Sequence, residues 1–219
     1  AIRIGWHGLP TDTQANVAQF TTVRNNVVEG YGREFPTAPG LMQGNGHDNL
    51  ITHNDVYDGY HVAISLSQLS GETLKPSGNG VANNTISFNH VYNLMQGIMN
   101  DGGAIRIWSG DAVYTAPGNK ILNNKIHDVS DASAIDADGY GGVGIYLDNQ
   151  TGLVDVENNL VYRVSESAIF TVHGPTAPNQ ANLIKNNILA FARQSMISVV
   201  TPYFDGLHTS PTQVFDVTN

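Results

Sequence analysis

Three short stretches of this sequence hold side chains suited to bond cleavage: NDGGAIRIW at 100–108, GGVGIYLDN at 141–149 and SAIFTVH at 167–173. The first carries Asp101, Arg106 and Trp108, the second Tyr146 and Asp148, the third Phe170 and His173. Two carboxyl groups facing one bond are what glycoside cleavage needs, one as acid and the other as nucleophile or base. Aromatic rings beside them suit sugars, whose C–H faces pack on rings while their hydroxyls seek polar partners. Asp148 is the first candidate and Asp101 the second. Arg106, Trp108, Tyr146, Phe170 and His173 are the expected substrate contacts. The plainer readings are a surface ion pair between Asp148 and Arg106, and a turn residue at Asp101 in front of Gly102-Gly103. Asp136, Asp138 and Glu166 stand in reserve in the adjoining loops. His61, like His173, flanks the same region and is suited to a proton or a sugar contact.

Other chemistries have less to stand on. The eight histidines show no short ligand spacing and no calcium-loop pattern occurs, so neither a metal nor a cofactor is expected. Gly139, Gly141 and Gly144 spell GxGxxG, but they precede a strand-like run and no helix follows, so they are no dinucleotide fingerprint. Their expected role is a close approach of loop to strand. The chain has no cysteine, which rules out disulfides and a thiol nucleophile. A net charge of −9 argues against a nucleic-acid partner. No apolar run approaches the ~18 residues of a membrane span.

What must position the candidate residues is a repeat. Asn26, Asn54, Asn89, Asn124, Asn159 and Asn187 each have an aliphatic residue three places before and two places after, at intervals of 28, 35, 35, 35 and 28 residues. The phrases predict two short strands joined by a bend at the asparagine, with the amides stacked as a scaffold. Tyr57, Tyr92, His127 and Tyr162 share the position three after the asparagine and predict an aromatic ladder. A third strand follows in most units: AISLS (63–67), AIRIW (104–108), GIYLD (144–148), AIFTV (168–172) and MISVV (196–200).

Three short strands per turn with no helix between them describe an all-β, right-handed parallel β-helix of about six coils, one domain over 1–219. Residues 1–22 are expected to form an incomplete first coil, 23–200 the regular coils, and 201–219 the start of another. The chain is expected to be a piece of a longer solenoid, with further coils of the same parent chain as neighbours. Period-2 alternation turns Ile105 and Ile107, or Ile145 and Leu147, inward. Arg106 and Trp108, Tyr146 and Asp148, Phe170 and Val172 then face outward, with Trp108 and Asp148 on neighbouring rungs. Asp101 reaches that face only if the chain bends at Gly102-Gly103. All variation in coil length flanks the third strand, which marks it as the binding face.

The stretches YDGYHVAIS (57–65), NDGGAIRIW (100–108), DGYGGVGIYLDN (138–149), VENNLVYR (156–163) and IKNNILAFAR (184–193) resemble the bacterial right-handed β-helix proteins that include α-L-fucosidase/xylanase-type glycoside hydrolases. The resemblance runs from about Asn25 to Arg193. It implies a secreted or periplasmic carbohydrate-active enzyme with Asp101 and Asp148 as its catalytic carboxylates. The sequence departs from that group at Asn149, where an acidic residue is common, and at Phe170 and Val172, where histidines are. The expected function is cleavage of a polysaccharide or oligosaccharide lying across the third-strand face. A polysaccharide lyase using Arg106 as base, and a non-catalytic β-helix for glycan binding, adhesion or structure, are the alternatives.

Overall fold

Each asparagine phrase becomes a corner because two residues around it take a left-handed backbone. The residue before the asparagine does so in every unit: Asn25, His53, Phe88, Asn123, Asn158 and Asn186 have φ between 53° and 57°. The residue four after it does so again, as Gly30, Asp58, Asn93, Asp128, Arg163 and Phe191. Left-handed geometry costs an L-residue about 1–2 kcal/mol, so something must hold these corners in place. The asparagine column does. Asn54 donates from its backbone N and its Nδ2 to Asn89 Oδ1, at 3.0 and 2.9 Å, and from Nδ2 to Val23 O at 3.1 Å. Asn89 repeats the pattern toward Asn124 and Ile51 O, and Asn124 toward Asn159 and Ile86 O.

The computed structural model describes residues 1–5, 17–67, 81–108, 118–132, 141–149, 151–172, 180–200 and 214–218. Among these, the strands form three long parallel sheets and one two-stranded sheet. The strand before the asparagine recurs from Thr22–Arg24 to Phe215–Thr218, and the strand after it from Val27–Glu29 to Ile188–Ala192. The third sheet stacks Ile2–Ile4, Leu41–Gln43, Ile64–Ser67, Gly103–Trp108, Val143–Asp148, Ser167–Val172 and Ser195–Val200. Every pairing is parallel and joins equivalent positions one coil apart, such as Ile51 with Ile86 and Ile86 with Ile121. The all-β solenoid read from the spacing is the fold.

One core fills the tube. Ile64, Leu66, Ile105, Ile107, Ile145, Leu147 and Ile169 point inward as the alternation requires, and they join Ile51, Ile86, Ile121 and Val156 in a single buried cluster. Full burial of such a side chain is worth roughly 1.5–3 kcal/mol.

Two features lie outside the repeat phrases. The early third strands Ile2–Ile4 and Leu41–Gln43 pair with each other and lead into Ile64–Ser67; LMQ ends on a buried glutamine, so no aliphatic alternation announces it. A second buried asparagine column also runs five residues before the first. Asn49 bonds to Asn84 Oδ1, and Asn84 to Asn119 Oδ1. Val154 interrupts the column, and its backbone N donates to Asn182 Oδ1 at 3.1 Å.

Candidate functional site

Gly103–Trp108 and Val143–Asp148 lie side by side in register, with Arg106 opposite Tyr146 and Trp108 opposite Asp148. Tyr146 in turn faces Phe170 on the next rung. Period-2 alternation puts all five side chains on the outside of the third sheet, as expected. Arg106 lies diagonally across from Asp148 and donates to its Oδ2 from Nε, at 2.8 Å, and from Nη2. The expected surface ion pair is a buried one, with the Asp148 side chain only 5% exposed and that of Arg106 18%. The reason is that this outer face is covered: Ser65, Ser67, Tyr146, Phe170 and Val172 are buried although they point away from the core. Burial pulls the Arg106 guanidinium down, but the Asp148 charge and hydrogen bonds, with the Asp101 charge, leave it above its ordinary value.

Asp101 joins the same patch by a bend in a different place from the one expected. Neither Gly102 nor Gly103 takes a left-handed backbone; Asp101 itself does, at φ 49°. That turn brings Oδ1 within 3.3 Å of the Tyr146 hydroxyl, which donates to it. The glycines serve closeness instead. A Cβ on Gly102 would meet His61 Cδ2 at 3.0 Å, and one on Gly103 would meet Val143 O at 2.9 Å. Asp101 keeps an exposed surface while its carboxyl turns toward Tyr146. Loss of hydration raises the Asp101 carboxyl above the usual range, Arg106 opposes this, and the Asp148 charge adds to it. His61 stands behind Asp101, with Nε2 3.1 Å from Asp101 O and Nδ1 3.2 Å from Thr37 O. Desolvation holds this imidazole below its ordinary value.

A second acidic group lies next to Asp101. Gly141, at φ 124°, packs so tightly on this corner that a Cβ would come within 2.6 Å of Asp101 N. Its own N–H donates to Glu166 Oε2 at 2.5 Å. Glu166 is buried just before Ser167–Val172, and desolvation, against the Gly141 hydrogen bond and with the Asp131 charge, pushes its carboxyl up to about 7. Asp131 is buried too. Its side chain is 0% exposed, neither carboxyl oxygen has a hydrogen-bond partner, and Arg193 Nη2 approaches Oδ2 only to 3.5 Å. Glu166 was a reserve candidate in the sequence because it lies in a loop adjoining the third strand. Asp131, in VSDAS, had no signal beyond ordinary turn composition.

The expected aromatic platform is only partly available. Tyr146 and Phe170 are each 1% exposed and pack edge-to-face on one another with ring centroids 5.4 Å apart, so neither offers a face to a sugar. Trp108 remains half-buried, with the Arg106 guanidinium 5.3 Å from its ring and its Nε1 buried without a hydrogen-bond partner. His173, Asp136, Asp138 and Gly139 lie outside the described residues. Gly141 and Gly144 do serve close approach: a Cβ on Gly144 would fall 2.4 Å from Val161 Cγ1. No group of three or more His, Asp and Glu side chains among the described residues is arranged to hold a metal. A cleft of about 410 Å³ opens not on this face but along the neighbouring corner, lined by Gln96, Asp128, Arg163, Phe191 and Arg193 among others.

A sequence model of the family described as "Right handed beta helix region" matches residues 21–201, and the chain belongs to that family. No curated protein and no solved structure gives a significant match.

Proposed function

We propose that this β-helix chain is a carbohydrate-active enzyme, a glycoside hydrolase of a polysaccharide or oligosaccharide, working at the Asp101–Tyr146–Arg106–Asp148 patch. One observation carries the reading: Asp101 and Asp148, from successive coils, are tied into a single patch by Tyr146 and Arg106. Asp101 is open to solvent and its raised carboxyl keeps a proton to higher pH, which suits a general acid for the leaving oxygen. Asp148, fixed by Arg106, is the second carboxylate, nucleophile or base. Arg106 leaves the lyase alternative with little support, since a guanidinium held above its ordinary value by two carboxylates is a poor base. With this reading goes a bacterial, extracellular or periplasmic setting.

The test compares wild type, Asp101→Asn and Asp148→Asn on a panel of neutral and acidic glycans, following reducing ends and the anomeric form of the product. Loss of turnover in both variants with the fold intact supports the pair; full turnover in either removes that residue. The burial of Tyr146, Phe170 and Asp148 favours a second reading, a glycan-binding or spacer β-helix without catalysis. It predicts no product from any glycan with the wild-type chain.

A further inference from the structure

One imidazole ties together the corners of three successive coils that lead into the third sheet. Leu41, Ile64 and Ile105 are partners in the register of that sheet, so His61 stands between the segment before Leu41–Gln43 and the Asp101 turn before Gly103–Trp108. Its ring reaches one backbone oxygen on either side: Nδ1 lies 3.2 Å from Thr37 O, and Nε2 lies 3.1 Å from Asp101 O. Gly102 leaves room for the ring, since a Cβ there would meet Cδ2 at 3.0 Å and Nε2 at 3.2 Å.

The hydrogen-bond logic is restrictive. Both partners are carbonyl oxygens, which only accept. A neutral imidazole has one N–H and one lone pair, so it serves one carbonyl and turns its lone pair to the other; only the imidazolium serves both. The shorter contact marks Nε2 as the nitrogen that keeps its proton, and its bond falls on a residue that needs holding. Asp101 has φ 49°, a left-handed backbone that strains an L-residue and persists only where neighbours fix it. Gly141 closes on the nitrogen side of Asp101 and His61 on its carbonyl side. Between them the side chain is turned to the Tyr146 hydroxyl, 3.3 Å away.

From this geometry we propose that His61 is a positioning residue for Asp101: its Nε2–H holds the Asp101 turn, and a second proton, on Nδ1, ties the Thr37 segment to the same turn. The effect on the reaction rests on the reading of Asp101 as the acid; the clamp itself does not. Burial opposes the second proton most, with the Arg106 charge, while the two carbonyls and the Asp101 charge favour it. Among the described residues, Arg106 and Asp101 are the charged groups whose fields reach the ring, and the Tyr31 hydroxyl donates to His61 O, not to the ring. The Thr37 link is therefore open near neutrality and made as pH falls. The Asp101 link is kept throughout.

The experiment follows His61 in the full chain by nitrogen NMR, which tells a protonated ring nitrogen from a bare one. Near neutrality the proton is expected on Nε2. On acidification Nδ1 should take the second proton with a midpoint below that of a free histidine, and the Thr37 carbonyl carbon should shift with the same midpoint. His61→Gln and His61→Leu are then compared, with circular dichroism and thermal unfolding to confirm the fold. Neither variant carries a charge at this position, so their difference reports the donor alone: glutamine can place an N–H where Nε2 stands and leucine cannot. The Asp101 carboxyl, followed by carbon-detected NMR, should stay above the usual carboxylate range in His61→Gln and fall back toward it in His61→Leu. On a glycan that the wild type cleaves, His61→Leu should lose about 10²-fold in kcat, and His61→Gln should keep most of the turnover. A neutral ring protonated on Nδ1, a Thr37 carbonyl that ignores the His61 midpoint, or an Asp101 that titrates alike in the two variants would overturn the proposal. The wild-type spectra decide it even if the leucine variant does not fold. Full turnover in Asp101→Asn would overturn the reading of Asp101 as acid, and with it the kinetic effect of His61, while the spectra decide the clamp.

Discussion

Arg106 gives two hydrogen bonds to a single oxygen of Asp148, from Nε at 2.8 Å and from Nη2, and both side chains are largely removed from water. Cutting such a pair on one side strands the other charge, at a cost of about 3 kcal/mol or more. Asp148→Asn is therefore expected to lower the urea midpoint as well as any turnover. Replacing both partners, as Arg106→Met with Asp148→Leu, should recover most of the stability and none of the turnover. That difference separates a structural role for the pair from a chemical one. Equal stability of Asp148→Asn and wild type would show that Arg106 finds another partner.

Tyr146 donates to Asp101 and so favours the charged form of that carboxyl. Removing the donor with Tyr146→Phe is expected to raise the Asp101 carboxyl further. If Asp101 is the acid, activity falls as pH rises through its value, and the alkaline limb of the pH–rate profile should move upward in the variant. Carbon-detected NMR titration of Asp101 measures the same shift without a substrate. A downward shift would contradict the assignment of Tyr146 as donor.

Glu166 makes stability depend on pH. Its folded value is pushed from 4.5 to about 7, so between these limits the folded chain holds a proton that the unfolded chain has released. Folding is then favoured at the acid end of that window and loses stability as pH rises toward 7, by about 3 kcal/mol over the whole window. Chemical denaturation across that range should show the slope, and Glu166→Gln should flatten it while keeping the Gly141 hydrogen bond. A slope that persists in Glu166→Gln would move its origin away from Glu166.

The asparagine column predicts a graded series. Asn89 accepts two bonds from Asn54 and donates to Asn124 and to Ile51 O, all in a buried setting. Asn89→Ala leaves several of these groups without partners and should cost about 3 kcal/mol or more. Asn26, half-buried at the first regular coil, donates to Asn54 and Arg24 O, and Asn26→Ala should cost less than half as much. Equal losses in the two variants would mean that the amides matter for the local bend and not for the stack.

Much of the scaffold could be read from the chain because a solenoid turns sequence period into spatial neighbourhood. The 35-residue interval stacks Tyr57, Tyr92, His127 and Tyr162, whose successive ring centroids lie 4.8, 5.2 and 4.8 Å apart, and matching the third-strand runs AIRIW and GIYLD places Trp108 beside Asp148. The candidate site was less legible. Alternation tells which way Tyr146 and Phe170 point, but not that both are buried on that outer face. Asp101 was expected to depend on a bend at its glycines; the left-handed turn falls on the aspartate, a residue type that tolerates it. The contact of Gly141 with both Asp101 and Glu166 joins three coil corners whose loops differ in length, so no spacing rule reveals it. The second asparagine column was open to inspection as Asn49, Asn84, Asn119 and Asn182, and Val154 hid it by breaking the series.

The amide column also has a sense of direction. At every step the backbone N and Nδ2 of one asparagine reach toward the Oδ1 of the asparagine that follows in sequence, from Asn26 through Asn54, Asn89, Asn124 and Asn159 to Asn187. The stack therefore has an acceptor pole at one end and a donor pole at the other, like a row of magnets laid nose to tail. A coil can be added only in the same orientation. Two such columns brought together at like poles would set oxygen against oxygen or N–H against N–H, so the ladder that holds one tube together also forbids its mirror-wise extension.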